Sequence, residues 1–269
     1  MFQGVFTRII RADPCVYRIC MPAEPRTGDT YLAFDGTGAY ACIPSHPRYS
    51  VDYTGQLAIA VWVRVDTGNF PHNEHGYVHW MGKGQRSGLN GDREWAFRIY
   101  NADHQGRQRT SFYVFNFCGG LGVGSRVDEQ VPQGSWRLIA ANIDEARTQL
   151  FKNGILMDCD TYKGKPTADC KIMFDDCGNQ VVICPVHGDA PIRLGTRDGA
   201  SHFRGGLTRF RIWNRTLSAA EMTALYMTDT VPNTQLAGEF LLNASTDGTI
   251  EDTVLANDGT IHGATWVVQ

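Results

Sequence analysis

The stretch G-G-L-T-R-F-R-I-W-N-R-T-L-S-A-A-E-M-T-A-L-Y, Gly205 to Tyr226, decides how this chain is read. Leu207 to Trp213 reads as a strand, followed by a short polar turn and one or two turns of helix. Ser218 can accept from the amide of Glu221 while Glu221 reaches back to it, the reciprocal capping box. Behind that cap, Met222, Leu225 and Tyr226 form a small apolar stripe at helical spacing.

Working outward, strands recur at short and regular spacing. Tyr31 to Asp35 and Ala39 to Ile43 flank a Gly36-Thr37-Gly38 turn. Leu57 to Val65 is apolar except at Arg64, so it is expected to be a central strand covered on both sides. Tyr77 to Met81, Glu94 to Tyr100, Thr110 to Phe117, Ser135 to Ile143 and Gln149 to Lys152 follow. Asn153-Gly154 is a tight hairpin signal leading into Ile155 to Asp158. Ile192 to Gly195, Glu239 to Leu242 and Ala264 to Val268 complete the set. Gly119 to Gly124 is glycine-rich but precedes no helix pattern, and reads as a hairpin or loop. Many strands, one short helix near the C-terminus and no βαβ rhythm give an all-β, antiparallel two-sheet sandwich of the jelly-roll type. Trp62, Trp136 and Trp213 are expected in the core between its layers.

Several of these segments, in this order, resemble the laminin G-like, concanavalin A-like jelly-roll domains. They are Y-L-A-F-D-G-T-G-A-Y at 31–40, L-A-I-A-V-W-V-R at 57–64 and V-H-W-M-G-K-G at 78–84. G-S-W-R-L-I-A-A-N-I-D at 134–144, Q-L-F-K-N-G at 149–154, I-R-L-G-T at 192–196 and the capped ending come after them. The resemblance runs from residue 30 to residue 268. It implies a sandwich over 29–230 and a tail over 231–269 that lays a last strand on it, while residues 1–28, irregular and holding Pro14, Pro22 and Pro25, read as an arm. The chain departs from the pattern between Gly154 and Gly195, where an extra segment holds Cys159, Cys170, Cys177 and Cys184. A long insertion of this kind is either a functional loop or a surface loop stapled for stability.

Composition narrows the function. The 269 residues carry 42% hydrophobic side chains, 29 glycines, 11 prolines and a formal net charge of -3. Basic and acidic residues interleave, so nothing suggests a partner among nucleic acids or membrane surfaces. The longest apolar runs are of strand length. The N-terminus, M-F-Q-G-V-F-T-R-I-I-R-A-D, lacks the pattern of a secretory leader, since Arg8 and Arg11 interrupt it. Synthesis in the cytoplasm is therefore expected. Eight cysteines allow either buried thiols or bridges formed after release into an oxidising medium. Cys15, Cys20, Cys159, Cys170, Cys177 and Cys184 are the candidates for disulfides.

Catalytic patterns are sparse. Sugar-cleaving relatives of the fold carry carboxylates as in E-x-D-x-x-E, which does not occur here. Asp92 and Glu94 lie two apart and could act as acid and base, or belong to a solvated turn entering a strand. No nucleophile elbow, phosphate loop or Cys-His signature is found, so no catalytic residue is assigned. His72, His75 and His79 would gather on a helix, but Pro71 and Gly76 argue for a loop feeding a strand. Cys170 and Cys177 with His187 match no standard zinc spacing. The resemblance implies calcium near Asp35; Thr208 stands where relatives place a second Asp, and Asp198 could supply the missing carboxylate. Glycan contact would need displayed aromatics, for which Tyr113, Phe115, Trp95 and Tyr100 are the candidates. Trp95 and Tyr100 fall on opposite faces of one strand. Arg209 and Arg211 share a face of the closing strand and point to solvent or to an acidic partner.

Three functions are weighed against these features. One is a non-catalytic recognition or assembly module, such as a decoration, collar or fibre-associated subunit of a phage or virus particle. It would dock through Phe2, Phe6, Ile9 and Ile10 of the arm to other protein subunits or to copies of itself, in a virion or other extracellular particle. The alternative is a stand-alone carbohydrate-binding lectin module that meets cell-surface glycans. A polysaccharide hydrolase or lyase on the same fold is the third reading.

Overall fold

The central strand Leu57–Val65 is buried at every position but Arg64, and a computed structural model of the chain shows why. The structure describes residues 21–70, 76–85, 93–101, 108–115, 123–144, 147–161, 171–174, 180–183, 187–243 and 248–269. The first strands are β1 (Thr30–Asp35), β2 (Tyr40–Ile43), β3 (Leu57–Val65), β4 (Tyr77–Gly84), β5 (Arg93–Tyr100), β6 (Arg109–Val114), β7 (Val123–Asp128), β8 (Trp136–Ile143) and β9 (Arg147–Lys152). Then come β10 (Ile155–Thr161), β11 (Lys171–Phe174), β12 (Gln180–Ile183), β13 (Ile192–Leu194) and β14 (Arg204–Trp213). After helix α1 (Ala219–Thr228) the chain adds β15 (Leu236–Phe240), β16 (Thr249–Ile250), β17 (Gly259–His262) and β18 (Thr265–Val268).

Two eight-stranded sheets form the expected sandwich. The first runs β10-β9-β8-β3-β14-β1-β18, with β15 also paired to β14. The second runs β16-β17-β2-β13-β4-β5-β6-β7, and β11 and β12 make a separate hairpin. The strand pairs within both sheets are antiparallel. Leu32, Phe34, Ile59, Val61 and Phe210 of the first sheet meet Trp80, Trp95, Phe97 and Phe112 of the second. This is the interdigitated core of a face-to-face sandwich. Its edge is stitched by polar side chains, Ser125 of β7 lying 2.8 Å from Thr148 of β9.

The outer face of the first sheet is also apolar. Tyr31, Ala58, Ala60, Trp62, Trp136, Leu138, Phe151 and Trp213 pack there against Leu217, Met222 and Leu225. Trp62, Trp136 and Trp213 are thus buried, but on the outer face of the first sheet rather than between the sheets, Trp62 stacked on Tyr226 of the helix and Trp136 against Tyr31. Strand alternation sends them outward while Ile59, Val61 and Ile212 point inward. A ten-residue helix is too short to persist alone in water. It is held by this apolar seat and by the capping box at Ser218, which forms as expected. Asp229 ends it in the left-handed conformation. Asn142 clamps the turn before the helix, accepting from the Leu217 amide and donating to its carbonyl. The Asn153-Gly154 hairpin turn has positive φ at both residues. A Cβ on Gly154 would come within 2.9 Å of the Thr223 backbone, so the turn abuts the helix closely.

One expectation needs adjustment. The tail gives more than one last strand: β15 and β18 join the first sheet, β16 and β17 the second. The glycine-rich run, read as a hairpin or loop, lies between the antiparallel neighbours β6 and β7 and ends in the edge strand β7. Its Gly124 lies so close to β6 that a Cβ would fall 1.9 Å from the Phe112 carbonyl. The docking-arm residues Phe2, Phe6, Ile9 and Ile10 lie outside the described residues. Just beyond them, the Ala23 amide donates to the Tyr226 carbonyl and Gly28 to that of Gln269.

The helix seat can be weighed by substitution. Leu225→Ala should cost about 2–5 kcal/mol of unfolding free energy, and Ser218→Ala about 1 kcal/mol. Urea denaturation checks both; equal and negligible losses would show that the helix does not seal the first sheet.

Candidate functional site

The outer face of the second sheet is built differently. Alternation along β4, β5 and β6 sends Val78, Phe97, Ile99, Phe112 and Val114 inward. It therefore places Tyr77, His79, Ala96, Arg98, Tyr100, Ser111 and Tyr113 outward. Register aligns them in rows. His79 lies opposite Arg98, Arg98 opposite Ser111, and Ser111 opposite Arg126 of β7. One polar row thus crosses four strands, flanked by tyrosines.

His79 is completely buried at the centre. Its Nε2 accepts from Arg98 Nε at 2.8 Å and from Arg197 Nη1 at 2.9 Å. Burial, helped by the two guanidinium charges, holds its pKa well below the usual histidine range. Guanidinium nitrogens can only donate, so the neutral ring presents Nε2 as acceptor and carries its proton on Nδ1. Arg197 is in turn ion-paired to Asp198, whose other oxygen accepts from the Ala200 amide at 3.1 Å. Arg98 is half-buried. Its guanidinium carbon lies 4.7 Å from the Tyr77 ring centre, 4.4 Å from that of Tyr113 and 5.1 Å from that of Phe115. A guanidinium stacked on aromatic faces this way is anchored while its edge keeps N–H groups for another partner. Nearby, Arg109 sits over the Tyr100 ring and pairs with Asp128.

The proposed glycan contacts divide on this face. Tyr113 is half-buried beside Arg98 and remains a candidate. Phe115 belongs to the same cluster, its ring stacked on Tyr113 at 6.0 Å, but is only 2% exposed. Tyr100 is 9% exposed on the outer face. Trp95 is on the wrong face: it is wholly buried in the sandwich core, its indole N–H donating to the Tyr49 carbonyl at 3.0 Å. Sequence reasoning did not single out Tyr77, Arg98, Ser111 or Arg197. The period-two pattern of R-E-W-A-F-R-I-Y could have flagged Arg98, since it interrupts an otherwise apolar strand on the face opposite Trp95 and Phe97.

The other candidates have structural partners. Asp35 accepts from the amides of Thr37, Gly38 and Ala39 and from the Thr37 hydroxyl. These bonds outweigh burial and hold its carboxyl well below the usual range. Asp35 and Asp198 spend their oxygens on the backbone and on Arg197, while Thr208 donates to the Leu241 carbonyl. These residues do not fit a calcium ion as they stand, and no group of three or more His, Cys, Asp or Glu is placed to hold a metal among the described residues. Cys159 is an exposed thiol on β10 with no bridge to another described residue. Cys15, Cys20, Cys170, Cys177 and Cys184 lie outside the described residues, as do His72, His75 and Asp92. His187, named with the zinc pattern, places Nδ1 2.7 Å from the Ser50 hydroxyl. Arg211 meets Asp229 and Glu239, and Arg209 meets Asp29, so both closing-strand arginines have acidic partners within the chain.

Glu94, the carboxylate weighed for acid–base work, is sealed inside the protein. It pairs with Lys83 at 2.5 Å and accepts from the Gly188 amide at 2.9 Å. Lys83 also donates to Ser45 and to the carbonyls of Gly188 and Ala190. Both side chains are buried, and the cluster pins the 187–190 segment to β4 and β5. Burial pushes the Glu94 carboxyl up to about 7, against the pull of Lys83.

No family profile matches the chain, and no curated protein matches it. Solved structures do. A candidate carbohydrate-binding protein from Bacteroides ovatus is 16% identical with a TM-score of 0.58, over 91% of this chain and 61% of that one. This chain therefore spans about three fifths of that protein's length. A pentraxin from Limulus polyphemus is 13% identical with a TM-score of 0.48, over 75% of this chain and 83% of that one. The CBM40 of a Ruminococcus gnavus sialidase is 17% identical with a TM-score of 0.46, over 77% of this chain and 98% of that one. The first of these likenesses shows the fold: an antiparallel two-sheet sandwich.

Titration should report the buried carboxylate. A proton retained by native Glu94 is absent from the unfolded chain between its ordinary pKa of 4.5 and about 7, so stability rises as pH falls through that window. Below it the trend reverses. Glu221, held down to about 2 by Arg215 and the Ser218 cap, and Asp35 both contribute stability that acid removes. Urea midpoints against pH should peak on the acid side of neutrality, and Glu94→Gln should flatten the upper limb. A midpoint that climbs steadily to neutral pH would contradict this.

Proposed function

We propose that the chain is a carbohydrate-binding module whose ligand site is the Tyr77–Arg98–Tyr113 cluster on the outer face of the second sheet. The observation that carries this reading is a half-exposed guanidinium held between two half-exposed tyrosines by regular strands. Sugars offer hydroxyl oxygens to the N–H groups of an arginine and apolar C–H faces to aromatic rings. Groups fixed on strands and locked by neighbours such as His79 and Arg197 keep their geometry without ligand. The sandwich shared with the candidate carbohydrate-binding protein of Bacteroides ovatus supports the same reading, though fold alone does not assign function. A non-catalytic role agrees with the burial of Glu94 against Lys83.

The assembly-subunit reading depends on the arm and the paired cysteines, which lie mostly outside the described residues. Nothing in the described geometry favours it over glycan binding.

On a glycan microarray followed by calorimetry, the protein should bind at least one glycan class. Tyr77→Ala and Tyr113→Ala should each weaken that binding by about tenfold. Ile155→Ser, at a 67% exposed position of β10 in the other sheet, should leave it unchanged. Binding insensitive to both tyrosine substitutions would place the site elsewhere, and no binding at all would refute the function.

A further inference from the structure

We infer, building on the reading just given, that the ligand is a carboxylate-bearing sugar, its carboxylate received by the Arg98 guanidinium and the Ser111 hydroxyl. The charge inventory of the face leads there. Arg197 is neutralised by Asp198 and Arg109 by Asp128. Arg98 has no carboxylate partner among the described residues. Its Nε bonds His79, which is neutral, so the imidazole orients the guanidinium without cancelling its charge. A half-buried cation left uncompensated is costly to the free protein, and an incoming anion recovers that cost.

Ser111 supplies the second, independent observation. It faces Arg98 directly across the β5–β6 pair. Its side chain is wholly buried, yet its hydroxyl has no hydrogen-bond partner among the described residues. Such groups are rare in folded proteins, and each calls for an explanation. A hydroxyl in register with Arg98 can donate to one oxygen of a carboxylate while the fork donates to both.

The geometry of Arg98 favours a carboxylate over a neutral sugar. Its flat faces are used by Tyr77, Tyr113 and Phe115, and its Nε by His79. What remains is the terminal pair of nitrogens, which matches the two oxygens of a planar carboxylate. The tyrosine rings beside it would border the sugar ring carrying that group. A neutral sugar would satisfy hydrogen bonds but leave the charge unanswered.

The test is a microarray of sialylated, uronate-containing, sulfated and neutral glycans, read for the intact chain and for Arg98→Lys and Ser111→Ala. Carboxylated glycans should bind preferentially, with affinity falling as salt rises. Arg98→Lys keeps the charge but loses the fork, and should weaken binding at least about tenfold. Ser111→Ala should weaken it several-fold while leaving the unfolding midpoint unchanged or raised, since it removes an unsatisfied buried group. Ser111→Ala also keeps the proposal testable if Arg98→Lys fails to fold. Equal binding of neutral or sulfated glycans, or carboxylate binding unaffected by both substitutions, would overturn the carboxylate assignment and leave the glycan reading standing. Binding to no glycan class would overturn both.

Discussion

Trp62 and Trp213 point away from the sandwich core, and something apolar has to lie over them. Helix Ala219–Thr228 and the turn before it do so, with the capping box and Asn142 fixing where the helix starts. This second apolar layer makes the first sheet an inner sheet, closed on both sides. Each fully buried side chain of the size of Met222 or Leu225 contributes about 1.5–3 kcal/mol relative to exposure. The seat is therefore an energetic necessity for the strand Leu57–Val65, and on the face it seals the half-buried Arg64, stacked over Tyr31 and Trp136, is already paired with Asp66.

The second sheet shows the reverse economy. Its inner face is as apolar as that of its partner, but its outer face carries histidine, arginine, serine and tyrosine in register across β4 to β7. Two buried charge clusters grow from it with different logic. At Lys83 and Glu94 opposite charges are matched and every lysine proton has an acceptor, so the cluster closes on itself and fixes a loop. At His79, Arg98 and Arg197 two cations share one neutral acceptor and one carboxylate. Arg98 has no carboxylate partner among the described residues, and the proposed ligand site rests on that cation and on the Ser111 hydroxyl.

Much of this was legible in the sequence. Thirteen strands, the capped helix and the Asn153-Gly154 turn follow from alternation, capping residues and turn chemistry, all of them local. The same alternation put Tyr113 on the face opposite Phe112 and Val114, and Trp95 and Tyr100 on opposite faces. It did not say which face was the core. Trp95 went inward because the neighbouring Phe97 and Ile99 share its parity and outweigh Arg98. The expectation that Trp62 lies between the sheets failed for a related reason: a strand apolar on both faces does not reveal which cover each face meets. The short strands Thr249–Ile250 and Gly259–His262 have too few residues to show a period. The convergence of Arg197 on His79 joins residues 118 positions apart, which no local pattern reports.

Hydroxyl-radical footprinting with and without bound glycan tests the central claim most directly, because it reads both outer faces of the sandwich in one experiment. The account predicts that Tyr77 and Tyr113 are labelled in the free protein and protected by the ligand, while Trp62 and Trp213 stay unlabelled throughout. Protection confined to the helix side, at Tyr226 or Tyr31, with Tyr77 and Tyr113 unchanged, would contradict it.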